Sequence, residues 1–244
     1  MEVASRTDKG LVRAVNEDSI VVVPDHGLAV LADGMGGLNA GEVASHLAVE
    51  TVAKELLRRM ARGEEPIDGA VLEAAIRTAN GAILRAMELD AACSGMATTI
   101  AALVARGPRV YFAHLGDSRI YRLTQQQIEC VTTDHSMIQE LVDQGLFFSL
   151  KEARNAGVPN NVLTRGLGVE ESVQVDVGEA RVAAGDIYLL CSDGLTNMVN
   201  DEDIHQAVVA AAGDLNQAAD RLVQMALQAG GLDNVSLILA RPRR

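Results

Sequence analysis

Residues 98–123, TTIAALVARGPRVYFAHLGDSRIYRL, contain three short apolar runs that are separated by turn-forming residues. The runs TTIAALVA, RVYFAHLG and SRIYRL are rich in the β-branched and aromatic residues that favour strands. Glycine, proline and aspartate interrupt them, as is typical of tight turns. Three runs of this length with short connections predict consecutive strands of an antiparallel meander.

Helical patterns lie on both sides of these strands. Apolar residues at helical spacing predict helices over residues 40–63, 68–89, 134–144, 201–212 and 214–229, with Asp134 as the N-cap of the third. Further strands are expected in SIVVV (19–23), LAVLA (28–32), DIYLLCSDG (186–194) and NVSLILA (234–240). Because strands and helices come in groups and do not alternate as βαβ units, we expect an α+β fold.

The composition allows a large apolar core and disfavours several classes of partner. The 244 residues fit one domain over residues 1–244, and 48% of them are hydrophobic. Only 2% are aromatic and the formal net charge is −12. Because nucleic acids and anionic membranes generally bind basic surfaces, we expect neither as a partner. Separately, we expect a monomer.

Cysteine usage and the N-terminal sequence indicate the compartment. Cys93, Cys130 and Cys191 show no CxxC or metal-binding spacing, which suits a reducing environment. The first ten residues, MEVASRTDKG, lack an apolar signal core, and no run approaches the roughly 18 apolar residues of a membrane span. We therefore expect a cytoplasmic protein.

Aspartates recur at the ends of the apolar runs, namely Asp18, Asp33, Asp117, Asp193 and Asp233. Each alone is explained as a turn former. If the strand ends share one edge, however, each carboxylate pair at about 4 Å would repel by about 4 kcal/mol at an effective dielectric of about 20. Either the aspartates lie apart, or they bind hard cations such as Mg²⁺, Mn²⁺ or Ca²⁺.

Eight motifs in order resemble the protein phosphatase 2C family of metal-dependent serine/threonine phosphatases, in its compact bacterial form. The resemblance covers residues 4–240. The motifs are RAVNEDS, LADGMGGLNAGE, SGMATTIAALV, AHLGDSRIYRL, TTDHSMIQELVDQG, LTRGLG, LLCSDGLTNMV and DNVSLIL. The resemblance implies a four-layer α-β-β-α sandwich, in which two central antiparallel sheets are flanked by helix pairs.

The resemblance also implies a centre of two Mn²⁺ or Mg²⁺ ions. Asp33 matches the carboxylate that bridges both metals, and Gly34 matches a residue whose carbonyl binds one of them. Asp193 and Asp233 would complete one metal site, and Asp18 would bind the other metal largely through water. Asp33, Asp193 and Asp233 are therefore expected to be catalytic.

Further positions carry over from the same family. Asp117 matches the ligand of a third, weaker metal, which it would share with Asp193. Arg13 matches the catalytic arginine that binds the substrate phosphate. Residues 145–168 correspond to a mobile flap beside the active site.

The implied reaction is direct attack on phosphoserine or phosphothreonine by a hydroxide that bridges the metals. One departure concerns the proton donor, because Met35 replaces the histidine that eukaryotic members carry after the Asp-Gly pair. We hypothesise that a water on the metal at Asp117 supplies the proton instead. For His135, hydrogen bonding near a helix start and proton transfer both remain open.

Two other functions agree less well with the sequence. A nucleotide-binding loop is disfavoured because neither GxGxxG nor GxxxxGK[ST] matches residues 31–42, which contain no lysine. A catalytically dead phosphoprotein-binding relative would be expected to have lost a metal ligand, yet all are present. The expected partners are therefore phosphoprotein substrates and a cognate serine/threonine kinase pathway in a bacterium.

Overall fold

A computed structural model describes residues 1–36, 40–64, 66–159 and 162–243. The strands are β1 (Glu2–Asp8), β2 (Asp18–Val23), β3 (Leu28–Met35), β4 (Ala97–Thr98), β5 (Ile100–Arg106), β6 (Arg109–Leu115), β7 (Arg119–Leu123), β8 (Ile128–Cys130), β9 (Asp176–Arg181), β10 (Ile187–Cys191) and β11 (Val235–Arg241). The helices are α1 (Gly41–Ala61), α2 (Gly69–Leu89), α3 (Met137–Asp143), α4 (Leu150–Asn155), α5 (Asp193–Thr196), α6 (Asp201–Ala210) and α7 (Leu215–Gln228).

The strands form two antiparallel sheets. The first sheet has the order β1-β11-β10-β7-β8, and the second has the order β2-β3-β5-β6-β9, with β4 paired to β3. Side chains such as Leu31, Leu103, Leu190 and Ile238 fill the space between the two sheets. The α+β class and the two central antiparallel sheets are therefore confirmed.

Helices cover the outer face of each sheet. α1 and α2 pack on the second sheet, where Val52, Leu56 and Ile76 are buried with residues of β3 and β5. α6 and α7 pack on the first sheet, where Ile204 and Leu222 are buried with residues of β10 and β11. The result is the expected four-layer α-β-β-α sandwich.

The expected three-stranded meander is wrong in one respect. β5 and β6 pair as expected, but β7 leaves that sheet and pairs with β10 and β8 in the other. Gly116 permits this crossing, because its φ of +107° is a conformation that residues with a side chain rarely adopt. A Cβ there would also stand 2.6 Å from the Thr99 side chain. The strand patterns were correct, but they do not encode which sheet each strand joins.

The expected cap of α3 is also wrong. Ser136 precedes the helix and its side chain accepts a hydrogen bond from the Gln139 N–H. Asp134 instead accepts two hydrogen bonds from the Arg119 guanidinium, at 2.8 and 2.6 Å. Because a bidentate ion pair with a largely buried arginine is stronger than a cap, Asp134 is held by β7.

Two further observations concern the remaining segments. The segment expected to form a flap, residues 145–168, contains α4. Its residues 160 and 161 lie outside the described part of the chain.

Across the described residues, no helix combines the length and the apolar character that crossing a bilayer requires.

Candidate metal centre

One cleft of about 240 Å³ is lined by most of the charged residues that were predicted to bind metal or phosphate. It is lined by Arg13, Asp33, Asp117, Asp193 and Asp233. The four carboxylates come from the ends of strands in both sheets, because β3, β6 and β10 end and β11 begins at the same end of the sandwich. The alternative of scattered turn aspartates is therefore excluded for these residues.

Asp33 is held at the floor of the cleft by its own backbone. Its N–H donates to the Thr99 hydroxyl at 2.9 Å, and its carbonyl accepts from the Thr99 N–H at 2.9 Å. The Thr98 hydroxyl donates to the same carbonyl at 2.8 Å. These bonds satisfy the backbone N–H and carbonyl of Asp33 and fix its position. Asp33 lines the cleft, and its carboxylate is not needed to satisfy its own backbone.

Gly34 lies where three segments approach each other closely. A Cβ at this position would stand 2.1 Å from the Gly41 carbonyl oxygen and 2.6 Å from that of Glu17. The Gly34 N–H donates to the same Glu17 carbonyl at 3.1 Å. Glycine is required here because any side chain would push β3 away from the start of α1.

Asp18 lies buried behind the cleft. Its Cα is paired with that of Asp33 in the β2–β3 register. Its Oδ2 accepts a hydrogen bond from the Ser192 hydroxyl at 2.8 Å, whereas its Oδ1 has no partner among the described residues. Burial, together with Asp193 and Asp233, raises the pKa of Asp18 to about 7 against the opposing hydrogen bonds.

Three carboxyls that line the cleft, those of Asp33, Asp117 and Asp193, have pKa values perturbed in the same direction. Burial and the neighbouring Asp193 raise the pKa of Asp117 to about 7. Burial and Asp233 raise the pKa of Asp193 to about 6, although the Asn197 amide donates to its Oδ2 at 3.0 Å. Burial and the surrounding carboxylates raise the pKa of Asp33 well above its usual range. Without a cation these side chains resist ionisation.

Arg13 lies at the mouth of the cleft. Its Nη2 donates to Asp233 Oδ2 at 2.8 Å, and 49% of its side chain is exposed. It is the one lysine or arginine that lines the cleft in the part of the chain the structure describes. A single guanidinium cannot neutralise this many carboxylates.

The residues present fit divalent cations. All of the candidate donors are oxygens, which hard cations such as Mn²⁺ and Mg²⁺ prefer. The buried and unpartnered Oδ1 of Asp18 is an acceptor for which the described protein atoms provide no donor. A cation or its water shell would satisfy both that atom and the excess negative charge.

Asn234 is a structural residue of the cleft that the sequence did not single out. Its Oδ1 accepts from the Glu17 N–H at 2.8 Å, and its Nδ2 donates to the carbonyls of Lys9 and Val15 at 2.9 Å each. It thereby ties the segment that carries Arg13 to the start of β11. Next to Asp233, the local sequence of Asn234 predicts only a turn and gives no indication of these long-range bonds.

The cluster of His114, His135 and Asp176 lies outside the cleft. The two rings are stacked with centroids 4.6 Å apart, and burial lowers the pKa of each histidine. His135 Nδ1 accepts from the Gly116 N–H, so Nε2 carries the proton and faces Asp176 Oδ2 at 3.2 Å. Although the three side chains are close enough for a metal, His135 has no free nitrogen lone pair to offer.

Comparisons with known proteins agree with this geometry. A model of the protein phosphatase 2C family matches residues 10–229. The serine/threonine protein phosphatase PstP of Mycobacterium tuberculosis is 40% identical over 240 residues, which cover 97% of this chain and 44% of PstP. The serine/threonine phosphatase stp of Listeria monocytogenes is 34% identical over 242 residues, which cover 98% of this chain and 95% of that protein.

A solved structure is also similar to this chain in both fold and sequence. The catalytic domain of PstP in complex with two manganese ions matches with a TM-score of 0.84 and 38% identity. The match covers 98% of this chain and 96% of that domain. The chain therefore spans less than half the length of PstP as a whole, but nearly all of its crystallised catalytic domain.

Proposed function

The chain belongs to the protein phosphatase 2C family, and on that premise we propose that it is a Mn²⁺- or Mg²⁺-dependent serine/threonine protein phosphatase. The observation that carries the proposal is the convergence of Asp33, Asp117, Asp193 and Asp233 with Arg13 in one cleft. Partly buried carboxylates, three of which (Asp33, Asp117 and Asp193) have raised pKa values, together with a single arginine are suited to a metal-assisted hydrolysis of phosphate esters.

The carboxylates divide between the proposed metals as follows. Asp33 would bind both core ions, Asp193 and Asp233 would complete one site, and Asp18 would contribute to the other largely through water. Asp117, together with Asp193, would hold a third and weaker ion. When bound, such ions acidify water and neutralise charge on the phosphoryl oxygens.

Gly34 and Arg13 complete the proposed site. The Gly34 carbonyl supplies a further oxygen ligand, and the close approach of Gly41 and Glu17 holds its backbone in place. Arg13 binds the substrate phosphate at the mouth of the cleft. One Nη2 hydrogen bond engages Asp233, so other N–H groups of the guanidinium remain for phosphate oxygens.

Protonation of the leaving serine oxygen needs a donor other than Met35. Met35 lines the cleft at the position where eukaryotic members carry histidine, but a thioether has no acidic proton. His135 is also unsuited, because it is buried and both of its ring nitrogens are engaged. We therefore assign proton delivery to water held at Asp117, which lines the same cleft.

The substrates in this proposal are phosphoserine and phosphothreonine residues of proteins, and the enzyme opposes a bacterial serine/threonine kinase. A monomer is sufficient, because the cleft is built from residues of one chain. The cytoplasm is the proposed compartment, since Cys93, Cys130 and Cys191 are all unpaired.

Hydrolysis of a phosphoserine peptide with and without Mn²⁺ tests this proposal. We expect activity that EDTA reduces to background and that Mn²⁺ restores. Asp193→Asn should lower kcat/KM more than about 100-fold, beyond the range for residues that only support a ligand. Asp220→Asn, at an exposed aspartate of α7, is the matched control and should retain activity.

Either of two results would contradict the proposal. Full activity in EDTA would exclude metal-dependent hydrolysis, and an active Asp193→Asn variant would exclude this set of ligands. Tight Mn²⁺ binding without any hydrolysis of phosphopeptides would instead indicate a phosphoprotein-binding relative.

A further inference from the structure

His135 contacts the turn that carries Asp117, although it does not line the cleft. Its Nδ1 accepts from the Gly116 N–H at 3.1 Å, and its own backbone N–H donates to the Gly116 carbonyl at 2.9 Å. Both polar backbone groups of Gly116 are therefore bound by one residue. Substitution of His135 would remove only the ring's bond, and because Gly116 is buried, its N–H would then lack an acceptor.

The ring Nε2 and the backbone carbonyl of His135 bind residues C-terminal to α4, namely Asp176 and Thr164. The ring Nε2 faces Asp176 Oδ2 at 3.2 Å, and Arg165 donates to Asp176 Oδ1 at 3.2 Å. The His135 carbonyl accepts from the Thr164 N–H at 2.9 Å. Leu163, one residue earlier, lines the cleft and bridges to Ser136.

We infer that His135 is a positioning residue, which holds the Asp117 turn in register with the segment 162–165 at the edge of the cleft. The ring acts through the Gly116 N–H, and Asp176 keeps the ring in the tautomer that leaves Nδ1 free to accept. For its effect on rate the inference rests on the proposed phosphatase function. Its effect on metal binding is independent of that function.

The Asp117 turn needs this support because a metal site tolerates only small displacements of its ligands. A metal ligand must lie within about 0.5 Å of its productive position, and supporting hydrogen bonds provide that precision. Gly116 adopts a φ of +107° and packs against Thr99, so its own backbone offers few alternatives once the N–H loses its acceptor. The turn should then shift and carry the Asp117 carboxylate with it.

Three variants separate this role from a general loss of packing. His135→Ala removes the acceptor, whereas His135→Asn can place an amide oxygen near the position of Nδ1 and restore it. His205→Ala is the control, because the His205 ring also hydrogen-bonds to a backbone group, in this case the Thr124 carbonyl at 3.0 Å, and lines no part of the cleft. Asp117→Asn provides the reference for loss of the carboxylate charge.

Mn²⁺ binding is measured by isothermal titration calorimetry without substrate, and kcat and KM are measured with a phosphoserine peptide. For His135→Ala we expect the weakest Mn²⁺ site to bind about 10–100-fold more weakly, in the same direction as Asp117→Asn. kcat should fall by about the same factor, with KM within about threefold. His135→Asn should recover most of both losses, and His205→Ala should match wild type.

Three results would overturn the inference. The first is a His135→Ala isotherm equal to that of wild type. The second is an equal loss at every Mn²⁺ site together with a lower melting temperature in EDTA, which would indicate general unfolding. The third is a His135→Asn variant no better than His135→Ala, which would exclude the acceptor role. If wild type binds Mn²⁺ but hydrolyses no phosphopeptide, the proposed function fails while the isotherms still decide the role of His135.

Discussion

Arg13 illustrates how one residue can serve two partners in this cleft. Its guanidinium engages Asp233 Oδ2 at 2.8 Å while about half of the side chain remains exposed. The same charge that compensates Asp233 is therefore accessible to an incoming phosphate. Because guanidinium presents several donors in a planar fork, it can keep one carboxylate bond and still bind phosphate oxygens.

We predict that Arg13→Ala raises KM for a phosphoserine peptide about 10-fold, because the variant loses hydrogen bonds to the phosphate that persist through the reaction. kcat should change less than about threefold. Arg13→Lys should lie between the two, since lysine keeps the charge but not the fork. Steady-state kinetics measure both parameters, with the exposed Arg58→Ala as control. An unchanged KM in Arg13→Ala would remove the arginine from phosphate binding.

The end of β3 shows why a glycine, with no lysine beside it, suits this site. Gly34 brings its backbone against the Gly41 and Glu17 carbonyls at distances that exclude any side chain. This close approach places the helix start directly beside Asp33. In the proposed centre, the Gly34 carbonyl would therefore bind a cation, and the cations would bind the phosphate. The residues around Gly34 would not contact the phosphate themselves.

We predict that Gly34→Ala lowers the free energy of unfolding by about 1–3 kcal/mol, because the added methyl group overlaps backbone atoms that cannot move easily. Mn²⁺ affinity should fall as the Gly34 carbonyl is displaced. Thermal unfolding and calorimetry measure the two effects.

Gly81→Ala is the matched control. Gly81 lies within α2, and an added Cβ would meet only the flexible end of Arg85. This substitution should stabilise the protein by about 0.5–1 kcal/mol through helix propensity. A Gly34→Ala variant as stable as Gly81→Ala would contradict the close approach.

At the scale of the whole molecule, the fold concentrates negative charge at one end of the sandwich. Burial and mutual repulsion raise the pKa of Asp18 and Asp117 to about 7 and that of Asp193 to about 6. An aspartate in an unfolded chain has a pKa of about 3.9. The folded, metal-free protein therefore binds more protons than the unfolded chain, and its stability declines as pH rises through about 7.

We predict that the EDTA-treated protein loses at least about 1 kcal/mol of stability between pH 6.5 and 8, which corresponds to about 2–4 °C in Tm. The window begins at pH 6.5 because burial lowers the pKa of His114 and His135, and those groups act in the opposite direction at lower pH. Mn²⁺ should reverse the trend, since metal binds the deprotonated carboxylates.

Thermal unfolding at both pH values, with EDTA and with Mn²⁺, provides the measurement. Asp33→Asn removes one member of the carboxylate cluster and should flatten the pH dependence in EDTA, because the remaining aspartates then ionise more easily. A metal-free protein whose Tm rises from pH 6.5 to 8 would show that the cluster is not repulsive.

Local sequence patterns are sufficient to predict most helices, several strands and the chemical character of the site. Helical spacing located α1 and α2 to within a few residues, and the turn aspartates pointed to oxygen ligands and hard cations. The resemblance in eight motifs also predicted the four layers of the fold. The helices and the turns are encoded locally, because side-chain periodicity and turn chemistry depend on neighbouring residues, whereas the layers followed only from the resemblance.

The contacts between distant segments, in contrast, became apparent in the folded structure alone. The crossing of β7 into the other sheet, the capture of Asp134 by Arg119 and the anchoring by Asn234 were not visible in any local pattern. β1 was likewise missed, because only Ala4 is buried in it and its pairing depends on β11 at the far end of the chain. Strand partners and buried ion pairs are chosen by packing of the whole molecule, which local sequence patterns do not specify.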